Sequence, residues 1–596
     1  MKRTLISGIT ASILFSCSVH IVSTDQTQTK PEADTSPYDQ TVASEVDRFL
    51  DTYSNRYQEL HLQLQEARKQ FYTASGGNDT VRAASMLFAS EALASFTGNM
   101  GNLEKTSAFL EHQQGLTNLQ VRQLKAILYE GANYPQSVPE AVKARLKMEN
   151  EHAVKLRDFY NYPFLEKNTA SSLKNHSTTS SSKAELATKL RKDFLQLRDL
   201  RNLTVQGLGF GYDNYFAYQV AEYGIPLEEM KNLLMELNQE LYPLFRELHT
   251  YARYELAKKY GSPQVPDYLP AHWLPGKWPH DWSGIMEEAV VSYEGTSLEI
   301  LSGKEENFFT SLGFQSIPHS SQHNLLSATI YQSSFSSLNH SFDLYQKVSG
   351  LENTGSTLEQ YTRNIHDTGH LLYVKAYNND SVPVLLRRGA NRAFYEAIGN
   401  LFERAAMQAY YTAHPPQADE SKPEDKMQQL LKEALTYVTL IPYAAGVMSE
   451  WEYELYANKL SENQLNKRWW ELVKKYQGIT PSAIGKDSID PVTLAGIQTG
   501  ATPSYDHALS CVIMFQLQEH LAKHVLKQDL YTANYYGSKA VGGFLYTIMA
   551  SGATADWKEL LEEKTGESIS ARAMVTYFQP LLVYLKEKNK GRKYTL

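Results

Sequence analysis

Asn364-Ile-His-Asp-Thr-Gly-His-Leu-Leu-Tyr373, with Phe394-Tyr-Glu-Ala-Ile-Gly-Asn400 downstream, decides how this chain is read. His366 and His370 are four residues apart, so on a helix they stand one above the other on a single face. Such a face offers two imidazole nitrogens to one metal ion, the geometry behind the H-E-x-x-H zinc motif. The second position of the motif holds Asp367 here, not glutamate. The pair alone is a weak signal, because His319/His323 and His520/His524 repeat its spacing. Those two pairs read as a Ser-rich loop and a solvated helix face. The bland alternative for any such pair is a histidine that fills a core.

The sequence beyond His370 is more specific. Val382-Pro-Val-Leu-Leu-Arg-Arg-Gly-Ala-Asn391 leads into Phe394-Tyr-Glu-Ala-Ile-Gly399. This run resembles the angiotensin-converting-enzyme family of zinc peptidyl-dipeptidases, in which H-E-M-G-H is followed by L-P-V-x-L-R-R-G-A-N-P-G-F-H-E-A-I-G-D. The spacer to the glutamate is two residues longer here, and the extra length is assigned to the Asn378–Asp380 loop. Pro270-Ala-His-Trp-Leu-Pro-Gly-Lys-Trp-Pro-His-Asp-Trp282 is similar to the family's P-A-H-L-L-G-N-M-W-A-Q-x-W, and Glu306-Asn-Phe-Phe-Thr-Ser-Leu-Gly-Phe314 to its D-D-F-F-T-S-L-G. Trp469–Ile479, Phe515–Leu521 and Tyr577-Phe-Gln-Pro580 follow in the family's order.

The resemblance implies an all-α fold, a single large helical ellipsoid with a deep central channel and zinc held by two helices at its floor. Residues 42–135 are then the expected channel cover. It implies one Zn2+ on His366, His370 and Glu396, with one coordination position left for water. Asn400 stands where the family has an aspartate, and its amide oxygen is expected to accept a ligand imidazole's N–H without the charge that raises ligand basicity. Asp367 takes the place of the family's base, which draws a proton from the zinc-activated water and passes it to the leaving amine. Its side chain is shorter by one C–C bond, about 1.5 Å, and misplacing a catalytic group by about 1 Å costs on the order of a hundredfold in rate.

The substrate positions match less well. His280 replaces the family's glutamine for the substrate's C-terminal carboxylate. Counted without gaps from Phe515–Glu519, the lysine and first histidine fall on Ala495 and Ile497, and the two tyrosines on Ser504 and His507, with Tyr505 one place away. His507 is the candidate oxyanion donor; His280 and Tyr505 are the candidate substrate contacts. The chloride-binding arginines fall on Asp506 and Val473, so chloride is not expected as a cofactor. Two functions from different classes follow. One is a zinc metallopeptidase of the peptidyl-dipeptidase (dipeptidyl carboxypeptidase) type, with reduced or altered activity on oligopeptides. The other is a catalytically impaired, zinc-binding pseudoenzyme that binds peptides or proteins.

Composition bounds the rest. Of 596 residues, 42% are hydrophobic and 21% charged, as in ordinary globular proteins. The net charge of −8, and the lack of a basic stripe with interleaved aromatics, argue against a nucleic-acid partner. Lys2 and Arg3 precede an apolar run from Leu5 to Phe15 and then Ser16-Cys17, which reads as a secretory signal over residues 1–17. Leu14-Phe-Ser-Cys17 is also similar to a bacterial lipoprotein site, with Cys17 lipidated and the body tethered to a membrane surface; ordinary cleavage is the alternative. The location expected is the periplasm, or the outer membrane as a tethered lipoprotein. Residues 18–40 are polar and aperiodic, a tether ahead of a helical domain over 41–596. Cys511, the other cysteine, is read as a core residue. Val42 to Leu64 carries apolar residues at helical spacing (Val46, Phe49, Leu50, Tyr53, Leu60), and helical periodicity recurs over 80–160, 183–203, 227–260, 284–312, 356–378, 393–412, 426–460, 506–528 and 556–588, with Lys174–Lys183 the clearest internal loop.

Overall fold

The computed structural model describes residues 37–73, 79–152, 155, 183–209, 211–274, 278–286, 298–315, 357–413, 423–481, 491–493 and 502–596. The leader with Cys17, the tether up to residue 36, residues 174–182, the His319/His323 pair, Ala495 and Ile497 lie outside them. Within them the regular structure is helical except for β1 (Leu269–Pro270) and β2 (Ile479–Thr480), which pair in parallel. The all-α expectation holds. No described helix is long and apolar enough to cross a membrane.

The N-terminal part is α1 (Pro37–Thr73), α2 (Asp79–Thr97), α3 (Met100–Glu111) and α4 (Asn118–Ala132). In α1, the buried residues Val46, Leu50, Tyr53, Tyr57, Leu60 and Leu64 recur at alternating steps of four and three, which draws one stripe along a helix. Thr117 opens α4 through a capping box with Gln120, satisfying donors that a helix start leaves orphaned. The chain continues through α5 (Lys183–Gln206), α6 (Tyr215–Ala221), α7 (Leu227–Lys259), α8 (Leu298–Ser311), α9 (Thr357–Tyr377) and α10 (Arg392–Ala413). Then come α11 (Pro423–Ile441), a π-helical stretch Pro442–Met448, α12 (Ser449–Ala457) and α13 (Glu462–Gln477). The last part holds α14 (Tyr505–His520), a second π-helical stretch Leu521–Leu526, α15 (Lys539–Ala550), α16 (Trp557–Thr565), α17 (Arg572–Tyr577) and α18 (Gln579–Lys588).

Two periodic stretches break where local chemistry requires it. The 80–160 pattern is interrupted at Asn99 and Thr117, which cap α3 and α4. The 556–588 pattern becomes α16, α17 and α18, because Gly566 ends α16 in the left-handed region (φ 82°) and Pro580 opens α18. In 284–312 the described helix begins only at Leu298. Helices α6, α13 and α15 fall outside the periodic stretches altogether.

A continuous apolar core runs from Val46 in α1 to Leu585 in α18. Cys511 is part of it, and burial pushes its thiol up to about 12. The N-terminal helices are tied to distant chain. Arg122 of α4 donates from Nε to the Ala553 carbonyl at 2.9 Å and from Nη2 to that of Ala555 at 2.5 Å. The Arg388 guanidinium lies over the Tyr129 ring, 5.8 Å from its centroid. Both α1 and α4 also touch the turn Val384–Leu386, which connects the two helices carrying the site.

Candidate metal centre

Helices α9 and α10 pack at close range because glycine faces glycine. A Cβ on Gly369 would come within 2.8 Å of the Phe402 ring and 3.4 Å of the Gly399 Cα. One on Gly399 would stand 2.9 Å from His366 and 3.0 Å from His370. The two imidazoles thus lie against the bare backbone of α10. The start of α10 is fixed by Asn391, whose side-chain oxygen accepts the Phe394 N–H at 2.8 Å, an N-cap that places Glu396 within the first turns. Ala390 N donates to the Tyr373 hydroxyl at 3.2 Å, tying that start back to α9. The Arg-Gly-Ala-Asn motif is therefore a docking turn for the carboxylate.

His366, His370 and Glu396 converge. Nε2 of His366 and Nε2 of His370 are 2.9 Å apart, His366 Nε2 to Glu396 Oε2 is 3.6 Å, and His370 Nε2 to Glu396 Oε1 is 3.8 Å. Donors at about 2.0–2.1 Å from a tetrahedral zinc are separated by about 3.3–3.4 Å, a value that these edges bracket. The chemistry fits too: two imidazoles and a carboxylate make the donor set of an open zinc site.

The rings are held on their other sides. Tyr395 stacks on His370 with centroids 4.1 Å apart and planes 8° from parallel. Nδ1 of His366 faces Glu403 Oε2 at 3.4 Å. Burial works against charge on His366, but Glu396 and Glu403 outweigh it and hold the metal-free imidazole up at about 10. A metal ion displaces that proton when it binds. Asn400, expected beside a ligand histidine, is half-buried on α10, and the carboxylate at His366 Nδ1 is Glu403. Thr368, between the two histidines, donates its hydroxyl to buried Glu305 of α8.

Asp367 is half-buried on α9 beside His366, and its charge reaches the Tyr395 hydroxyl. His280 is exposed, its ring 6.1 Å from that of Tyr443 in the first π-helical stretch. Its segment is pinned by Gln477 Nε2 donating to Pro279 O at 2.7 Å and Trp282 N donating to Leu435 O at 2.9 Å. His507 is exposed at the start of α14. Tyr505 is not: it is fully buried, edge-on to Phe216 and Tyr223, because the helical period that presents His507 turns Tyr505 inward. Its placement is that of a core residue.

Asp506, also buried, explains the strongest departure at this end. Arg392, one turn ahead of Glu396, donates from Nε to Asp506 at 2.5 Å, pairs with Glu222 and donates to Gln219 O at 3.1 Å; Tyr223 donates to Asp506 at 2.6 Å. Ser504 donates its hydroxyl to Glu452 at 2.6 Å. Burial pushes Glu452 up to about 8, offset in part by the Ser504 hydrogen bonds and reinforced by the Asp506 charge. Val473 is fully buried in the core. Reading the sequence did not single out Glu403, Tyr395, Arg392 or Glu452. Of these, Glu403 had a signal, since it repeats the Glu396 face two turns later.

The fold and this centre define an all-helical protein with a His-x-x-x-His plus glutamate metal site on two glycine-crossed helices. A family model described as angiotensin-converting enzyme matches residues 40–596, and the chain belongs to that family. It is similar to angiotensin-converting enzyme of Sus scrofa, 28% identical over 64% of this chain and 30% of that one. The angiotensin-converting enzyme-like protein Ace3 of Mus musculus is 29% identical over 61% of this chain and 52% of its own. Angiotensin-converting enzyme of Theromyzon tessulatum is 26% identical over 60% and 61%. The chain thus spans about a third of the Sus scrofa enzyme and more than half of Ace3 and of the Theromyzon tessulatum enzyme.

Proposed function

We propose that this chain is a zinc metallopeptidase of the peptidyl-dipeptidase type that hydrolyses oligopeptides. The observation that carries the reading is the convergence of His366, His370 and Glu396 with Asp367 adjoining. His366, His370 and Glu396 would hold a zinc ion, which would supply Lewis acidity toward the scissile carbonyl and toward water. Asp367 takes the proton from the attacking water and returns it to the leaving amine. Exposed His507 donates to the developing oxyanion, and His280 contacts the substrate's C-terminal side. α1–α4 serve as the cover that limits access to extended peptides.

The grip on a free C-terminal carboxylate is reduced, since Ser504 is engaged by Glu452 and Asp506 stands next to it. The Ser504 hydroxyl is committed to Glu452 and Arg392 to Asp506, so these acids leave neither group for a substrate carboxylate and support altered cleavage preference. The Arg392–Asp506 pair occupies the place of a chloride arginine, which supports activity independent of chloride. The same acids favour a second reading, a zinc-loaded peptide-binding pseudoenzyme. The proposed setting is the bacterial periplasm or outer membrane, supported by Lys2-Arg3, the short apolar run and Cys17; a Cys17→Ala variant that keeps incorporating a fatty-acid label would remove the anchor.

The test is quenched-peptide hydrolysis with and without chelator, beside Asp367→Glu. Chelator-sensitive cleavage, raised about 10- to 100-fold by Asp367→Glu, is expected. Chelator-insensitive background that Asp367→Glu leaves unchanged would end the peptidase reading and leave the binding one.

A further inference from the structure

We propose that Glu403 is the positioning carboxylate of this metal centre, a role the chain has moved one helical turn away from Asn400. The inference rests on the zinc reading above and specifies how His366 is held. Nε2 of His366 points at the other two donors, 2.9 Å from His370 and 3.6 Å from Glu396. The neutral ring must therefore carry its hydrogen on Nδ1, the nitrogen that faces Glu403 at 3.4 Å. Among described residues, Glu403 is the acid recorded at that nitrogen.

Helix geometry explains the choice. Seven residues turn an α-helix through about 700°, so Glu403 projects within about 20° of Glu396 and about 10.5 Å further along the axis. The His366 ring bridges these two carboxylates, lying over the bare backbone of Gly399 between them. Glu403 is four residues beyond Gly399 and so stands on the same stripe as the ring. Asn400, four residues beyond Glu396, projects within about 40° of it on the same face but carries no charge. A carboxylate at Nδ1 holds the tautomer that presents the Nε2 lone pair to the metal and makes that nitrogen a stronger donor.

The experiment measures zinc affinity of the full chain by competition with a fluorescent chelator at fixed pH. The variants are Glu403→Ala, Glu403→Asp, Asn400→Asp combined with Glu403→Ala, and His366→Ala as a control. Glu403→Ala is expected to weaken zinc binding by about 10- to 100-fold. Glu403→Asp or the added Asn400→Asp should recover most of that loss, because each restores a carboxylate within reach of the ring. Glu403→Ala within twofold of wild type, while His366→Ala loses zinc, would overturn the proposal and leave the centre standing. Loss in Glu403→Ala that neither carboxylate variant recovers, with a lowered melting temperature of the metal-free chain, would also overturn it in favour of a structural role. Full zinc affinity in His366→Ala would instead overturn the metal centre itself.

Discussion

Gly399→Ala puts the glycine crossing to a quantitative test. The added Cβ would stand 2.9 Å from Cε1 and Nε2 of His366 and 3.0 Å from Cε1 of His370. Carbon atoms in contact sit about 3.5–4.0 Å apart, so both rings must retreat by about 0.5–1 Å. A metal site tolerates donor displacements of about 0.2 Å. Zinc affinity should therefore fall by at least about tenfold, or about 1.4 kcal/mol. The metal-free chain should respond differently. Alanine gains about 0.8–1.0 kcal/mol of helix propensity, against an overpacking cost of about 1–3 kcal/mol, so its stability should drop by no more than about 2 kcal/mol. Chelator competition gives the first quantity and urea unfolding of the metal-free chain the second. Wild-type zinc affinity in a folded Gly399→Ala protein would refute the claim that the rings need a bare backbone.

Other outcomes follow from the same contacts. Arg392→Met should cost about 3–5 kcal/mol in urea unfolding, because it leaves Asp506 and Glu222 buried without their cation; adding Asp506→Asn should cost less than the sum of the two single changes, and strict additivity would contradict the pairing. Glu452 is raised from 4.5 to about 8, so its neutral form stabilises the fold fully below pH 4.5 and that contribution is lost as pH rises through 8. The melting temperature of Glu452→Gln should accordingly fall less than wild type between pH 6 and 9, and parallel curves would count against it. Removing zinc should lower stability by about 4 kcal/mol at a free-metal level a thousandfold above Kd yet leave the helical circular dichroism intact at 25 °C, since the core runs the length of the chain.

How far the sequence carries depends on the range of each interaction. The metal donors were legible because His366 and His370 obey a local helical rule and Glu396 sits inside a recognisable motif. The all-α fold was legible from periodicity, as the stripe from Val46 to Leu64 shows. Tyr505 was not, since a one-residue choice between Ser504 and Tyr505 depends on which face of α14 meets Phe216 and Tyr223. Arg392 and Asp506 are 114 residues apart, and no local pattern joins them. Asn400 stands out by its place in the motif, whereas Glu403 comes beside His366 only through the packing of α9 on α10.

The anchoring of Arg122 has a consequence for how the protein is made. Its acceptors are backbone carbonyls 431 and 433 residues later, so substitutions at Ala553 or Ala555 leave the latch chemically unchanged. The same separation means that the first helices leave the ribosome about 20–90 s before their docking surface exists, at about 5–20 residues per second. During that interval Arg122 of α4 lacks its acceptors, so chaperone demand should concentrate on the N-terminal quarter of the nascent chain.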